Sequence, residues 1–148
     1  MDIQFHSKPA MSSDCTFLVG KLFSRGREVS RVDVELEDAG CAWIIGVYTE
    51  SKFRGQGYAG HLLCCLLQKY NNACREWRLS VNPYGDVPLQ DVAPLNREQL
   101  IAFYSRLGFE LLSNAVAPGS PVMRLTQAKL KTRRFKHHYP ALPADFFD

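Results

Sequence analysis

Phe53-Arg54-Gly55-Gln56-Gly57-Tyr58-Ala59-Gly60 separates two segments of different period. Before it, Cys41 to Thr49 is a nearly continuous apolar run, the pattern of a central strand covered on both faces. After it, Leu62, Leu63, Leu66 and Leu67 recur at helical spacing with Gln68 and Lys69 opposite, which predicts a helix from Tyr58 to Tyr70. A strand ends, the chain turns on glycines, and a helix begins. The first turn of a helix carries backbone N–H groups without intrahelical partners, at the positive end of the dipole. A diphosphate placed there accepts several of those hydrogen bonds at once. Gly57 lets the backbone approach the phosphates, Ala59 and Gly60 keep the first turn thin, and Arg54 adds a charge-assisted contact. The segment is not a P-loop, which needs Gly-Lys-Ser/Thr. It is not a dinucleotide fingerprint either, because the first glycine of that motif falls on Arg54. A plain glycine turn ahead of a helix is the competing reading.

Upstream, Cys15 to Phe23 reads as a strand, Ser24-Arg25-Gly26-Arg27 as a turn, and Val29 to Glu37 as a strand with Val32, Val34 and Leu36 facing one way. With Cys41 to Thr49 these make an antiparallel meander, and Asp2 to His6 fits a short edge strand. Downstream, Trp77 to Asn82 is a strand candidate, followed by a long connection from Pro83 to Leu95. Asn96 and Gln99 have capping-box spacing ahead of a helix that runs to about Arg106 and stops at Gly108. Leu100, Phe103, Tyr104 and Leu107 share its apolar face. Strands follow at Phe109 to Leu112 and Pro121 to Thr126. This order predicts an α+β fold: a mostly antiparallel central sheet with helices on both faces. Residues 1–126 are expected to form one domain and 127–148 a basic, then apolar, C-terminal tail.

The chain has 148 residues, 46% hydrophobic and 22% charged, ordinary values for a soluble globular domain. No apolar run is long enough to cross a bilayer and residues 1–10 lack a signal-peptide core, so a cytoplasmic location is expected. The five cysteines include no Cys-x-x-Cys pair, which speaks against zinc and for reduced thiols filling core space; no metal is expected. The net charge of +3 sits entirely in the tail, where five basic residues face Asp145 and Asp148, while residues 1–126 balance 13 basic against 13 acidic side chains. Lys129, Lys131, Arg133, Arg134 and Lys136, with Phe135 between them, suit a nucleic-acid backbone or an acidic protein; a solvated basic terminus explains them equally well.

Arg54-x-x-Gly57-x-Ala59 directly after a strand resembles the acyl-CoA motif of the GCN5-related N-acetyltransferases, the GNAT superfamily. Independently, Leu100-Ile101-Ala102-Phe103-Tyr104-Ser105-Arg106-Leu107-Gly108-Phe109 resembles the family's later helix and the strand after it. The resemblance covers roughly residues 29–126. It implies an enzyme that moves an acetyl group from acetyl-CoA directly to an amine. Val47, Tyr48 and Thr49 would then hold the pantetheine arm, and Arg54, Gly55, Gln56, Gly57, Tyr58, Ala59 and Gly60 the pyrophosphate. Tyr104 would donate a proton to the leaving thiolate. Asn82 and Asn96 are the candidates for the asparagine with which many relatives contact the cofactor.

Two departures from the family pattern bear on the acceptor. Family members place two helices ahead of the meander as a wall of the acceptor site, and the residues here before Cys15 are too few for both. An open cleft suits a macromolecular acceptor, a protein amine or aminoacyl-tRNA. No general base stands out, although an alkylammonium with a pKa near ~10 must lose a proton before it attacks. Glu35, Glu37 and Glu50 are the carboxylates on or beside the sheet. The missing base keeps a second reading open: a non-catalytic protein of the same fold that grips a partner through its basic tail.

Overall fold

Four strands joined in chain order build the first half of the sheet: β1 (Asp2–Pro9), β2 (Cys15–Ser24), β3 (Arg27–Glu37) and β4 (Cys41–Thr49), each antiparallel to the next. The computed structural model describes residues 2–9, 15–37, 40–81, 96–112 and 121–132. The edge strand is longer than expected, pairing from Asp2↔Phe23 to Pro9↔Thr16. The β2–β3 hairpin closes on Arg25 and Gly26 with φ of 53° and 77°, the left-handed pair that a tight right-twisting hairpin demands.

Helix α1 (Tyr58–Lys69) carries the chain over the sheet to β5 (Glu76–Ser80), which lies parallel to β4. A parallel pair needs such a crossover, because a short turn cannot return the chain to the same end of the sheet. After α2 (Arg97–Leu107) come β6 (Glu110–Leu111), β7 (Val122–Thr126) and α3 (Gln127–Thr132). The seven strands lie in the order β1-β2-β3-β4-β5-β7-β6. Apart from β4–β5 every pair is antiparallel, so the fold is the expected α+β arrangement with a mostly antiparallel sheet.

Alternation along the strands buries one face. Leu18 and Leu22 of β2, Val32 and Val34 of β3, Ala42 and Ile44 of β4, Trp77 and Leu79 of β5, and Met123 and Leu125 of β7 are all in the core. Helix α1 lies against β2, β3 and β4 and buries Leu62, Leu63, Leu66 and Leu67. Tyr104 and Leu107 of α2 join the same cluster. Leu66 is fully enclosed, so Leu66→Ala is expected to lower stability by about 2–5 kcal/mol, read as a lower urea midpoint at unchanged slope.

Helix α2 is capped as its sequence predicts. The Asn96 side chain accepts from the Gln99 N–H at 2.8 Å, and the Gln99 side chain accepts from the Asn96 N–H at 2.9 Å. Gly108 ends the helix with φ 110°. The structure also adds an element that periodicity did not predict. The first six residues of the 127–148 segment form α3, which docks through Gln127 N–H to the Arg75 carbonyl (2.8 Å), Gln127 Nε2 to the Asn71 carbonyl (2.9 Å) and the buried Leu130. Among the described residues no helix is long and apolar enough to cross a membrane.

Candidate active site

Strands β4 and β5 start as partners and then part. Their pairing runs from Cys41↔Glu76 to Ile44↔Leu79, yet β4 continues to Thr49. Past Ile44, each strand stays tied to its outer neighbour: β4 to β3 as far as Thr49↔Ser30, and β5 to β7 as far as Ser80↔Val122. A wedge therefore opens in the middle of the sheet. A local cause is visible in β4. Asp33 pairs with Gly46 and Val34 with Ile44, so Ile45 is an extra residue, 56% exposed. Such a bulge sharpens strand twist and turns β4 away from its straight course. Backbone N–H and C=O groups along this margin must find partners other than β5.

The wedge leads to the glycine segment. After Thr49 the chain makes a 3₁₀ turn at Ser51–Phe53, with Phe53 N–H on the Glu50 carbonyl at 2.8 Å. Gly55 and Gly57 have φ of 79° and 83°, a region that side chains resist. Gly57 is the N-cap of α1, and no side chain caps this helix. Its first described bond runs from the His61 N–H to the Gly57 carbonyl at 3.0 Å, so the N–H groups of Ala59 and Gly60 have no acceptor within the helix. A Cβ placed on Gly55 or Gly57 would meet nothing within 4 Å, so both positions face open space. Edge-to-face contact between Phe53 and Tyr58, with centroids 6.1 Å apart, braces the two sides of the turn.

Most of the residues singled out in the sequence come together here. Val47, Tyr48 and Thr49 form the length of β4 that pairs with β3 but not with β5, and residues 54–60 follow it. Ser30, itself buried, bonds the Tyr48 carbonyl at 3.0 Å and the Thr49 hydroxyl at 3.0 Å, which fixes the end of the strand. Arg54 Nε donates to the Thr49 carbonyl at 3.0 Å, so this side chain latches the glycine turn to the strand. The Asn96 side-chain oxygen is committed to capping α2, which leaves its amide nitrogen for any ligand. Asn82 lies outside the described residues, as do Arg133, Arg134 and Lys136. Of the two described tail cations, Lys129 pairs with Glu110 at 2.6 Å.

Tyr104 is 8% exposed, with its ring edge-on to Phe103 and Phe109 at 5.1 and 6.1 Å. Burial pushes its pKa up to about 12, so the phenol is protonated at every ordinary pH. No hydrogen bond joins its hydroxyl to another described residue, and the oxygen is not a buried atom left without a partner; among the described residues that is Trp77 Nε1 alone. The thiols are not nucleophiles of comparable promise. None of the five is in a disulfide, burial raises the pKa of Cys41 and Cys65, and Cys74 is pushed up to about 11.

One residue escaped the sequence reading. The Asp33 carboxylate lies over Gly46, with Oδ2 3.5 Å from the point where a Cβ on that glycine would sit. The signal was present in the alternation of β3 and the lone glycine of β4, but only the bulged register brings the two opposite each other.

No protein-family model matches this sequence, and no curated protein does. Solved structures match well. One is a PaiA N-acetyltransferase from Thermoplasma acidophilum in complex with coenzyme A, at TM-score 0.55 and 16% identity over 77% of this chain and 62% of that one. Another is a GNAT family acetyltransferase from Elizabethkingia anophelis with acetyl-CoA bound, at 0.56 and 12% over 84% and 97%. The chain has the GNAT fold. A third match, the alanine N-acetyltransferase of a ribosomal protein from Escherichia coli, has TM-score 0.56 and 17% identity over 74% and 68%. The GNAT resemblance read from residues 54–59 and 100–109 thus agrees with the architecture of the whole described chain. The chain spans 62% of the length of the Thermoplasma enzyme. Strand β1 ends at Pro9 and β2 begins at Cys15.

Proposed function

We propose that this chain is an N-acetyltransferase that moves the acetyl group of acetyl-CoA directly to an amine, and that the amine belongs to a macromolecule. The observation that carries the reading is the wedge between β4 and β5 opening toward a glycine-capped helix N-terminus. An extended ligand with an amide-bearing arm and a diphosphate fits that sequence of features. The arm finds strand-edge backbone at Val47–Thr49, and the diphosphate finds the N–H groups of Ala59 and Gly60 beside open glycines. Coenzyme A has this constitution, and it is the ligand in the Thermoplasma complex.

In the reaction the acceptor amine first gives up its surplus proton to solvent. Its nitrogen then bonds to the thioester carbonyl carbon, while backbone N–H on the free margin of β4 stabilises the charge that grows on oxygen. The C–S bond breaks, and the departing sulfur takes the Tyr104 hydroxyl proton. The proton shed by the new amide returns to Tyr104 through solvent, so no acyl-enzyme forms. A macromolecular acceptor is favoured by the link from β1, ending at Pro9, to β2, starting at Cys15, which is too short to hold two helices.

The test is mass spectrometry of cellular protein and tRNA after expression of the wild type and of Tyr104→Phe. Acetyl groups added by the wild type alone support the reading; identical patterns contradict it. Arg54→Gln is expected to weaken acetyl-CoA binding about tenfold by calorimetry, because it removes both a cation and the latch to Thr49.

A further inference from the structure

Strand β1 is one edge of the sheet, and among the described residues no strand lies on its far side. In an antiparallel ladder successive residues turn their N–H and C=O groups alternately toward one neighbour and the other. Every second residue of Asp2–Pro9 therefore points its backbone groups away from β2, as a template for a further strand. Edges of this kind are usually blunted by shortness, by a bulge or by an interior proline. The opposite edge, β6, is blunted in the first way and has two residues. Strand β1 has eight, pairs with β2 without a register shift, and carries proline only at its last position. Helix α1 lies over β2, β3 and β4, so its body stands back from this margin.

The side chains select the strand that fits. Asp2, Gln4, His6 and Lys8 are exposed on one face, while Ile3 and Phe5 pack toward the core on the other. A second copy brought up by a two-fold axis normal to the sheet runs antiparallel and keeps each residue on its own face. The axis must then pass at a residue and not between two. Centred on Phe5, it sets Asp2 opposite Lys8 of the second copy and Lys8 opposite that copy's Asp2. In the same register Gln4 faces His6, Ile3 faces Ser7, and the two Phe5 rings lie side by side, a favourable cross-strand pair. Centred on Gln4 or on His6, the axis carries Lys8 or Asp2 past the end of the partner strand, and both ion pairs are lost. Both charges are available. Among the described residues Lys8 makes no ion pair, and Asp2 accepts from Gln4 Nε2 through Oδ2 at 2.9 Å, which leaves Oδ1. We propose that β1 is a dimer interface: a second copy of this chain pairs antiparallel along it, centred on Phe5, and joins the two sheets into one. The wedge between β4 and β5 lies well inside each sheet, so both copies keep it open. The proposal stands on the edge strand and is independent of acetyl transfer.

The test is sedimentation velocity on the full chain over a range of concentrations. The wild type forms dimers in the micromolar range. Asp2→Lys and Lys8→Asp each set like charges opposite each other at two places, and each weakens the dimer about tenfold or more. The double variant Asp2→Lys with Lys8→Asp restores both pairs with their signs exchanged and dimerises like the wild type. Both positions are exposed, so all three variants melt with the wild type. Amide exchange in residues 2–9 slows with rising concentration in the wild type and in the double variant, and not in the single ones. A wild type that stays monomeric through the micromolar range, single variants that dimerise as tightly as the wild type, or a double variant that stays dissociated would each overturn the proposal.

Discussion

Tyr104→Phe is expected to lower kcat by about 10²–10⁴-fold, the range typical of losing a positioned proton donor, and to leave acetyl-CoA affinity unchanged. The substitution removes one oxygen from a ring whose other contacts, to Phe103 and Phe109, are retained. Because that hydroxyl has no partner among the described residues, its removal leaves no orphaned donor or acceptor there, and stability is expected to hold. The measurement is single-turnover thiol release from acetyl-CoA with a lysine peptide as acceptor. The pH profile adds an independent check. With its pKa raised to about 12, Tyr104 keeps its proton until the pH approaches that value, so it contributes no falling limb in the working range. The rate of the wild type is expected to rise with pH toward the ~10.4 of a lysine ammonium, as more of the acceptor becomes the free amine. The linkage to folding has the matching sign. A folded pKa above the unfolded ~10 gives stability that is complete below pH ~10 and is lost as the pH climbs through about 12.

Gly57→Val should remove acetyl-CoA binding by at least about 100-fold while costing only about 1–2 kcal/mol of stability, the strain of a side chain in the left-handed region. The two effects have different origins. With φ 83° the position strains any side chain, but an added Cβ meets no protein atom within 4 Å, so it projects into the space assigned to the phosphates. Gly26 supplies the control. It has φ 77° in the β2–β3 hairpin and equally open surroundings, so Gly26→Val carries similar strain with no effect on the ligand. Calorimetry and urea denaturation on the two variants separate strain from lost recognition.

Much of this was legible in the amino-acid order, for identifiable reasons. The meander showed because β2 and β3 each face core and solvent alternately, and the α2 boundaries showed because Asn96, Gln99 and Gly108 have geometric roles that few other residues fill. The turn ahead of α1 showed because Gly55 and Gly57 fall between an apolar strand run and a helical period. What stayed hidden depended on pairing. The wedge exists because β4 leaves β5 after Ile44, and the composition of Cys41–Thr49, apolar throughout, gives no hint of where pairing stops. Ile45 looks like a core residue in sequence and is exposed only because the bulge displaces it. Helix α3 was hidden behind its own charge: six residues are too few to set a period, and Lys129 and Lys131 drew the reading toward a solvated tail although Leu130 between them is buried. Asn96 shows the opposite difficulty, a residue whose capping role explains it fully without any ligand.

Titration of acetyl-CoA into the wild-type protein, followed by calorimetry, tests the central claim most directly. The account predicts one saturable site per chain, with heat that disappears in Gly57→Val and persists in Gly26→Val. Absence of heat in the wild type, or equal binding by Gly57→Val, would contradict it.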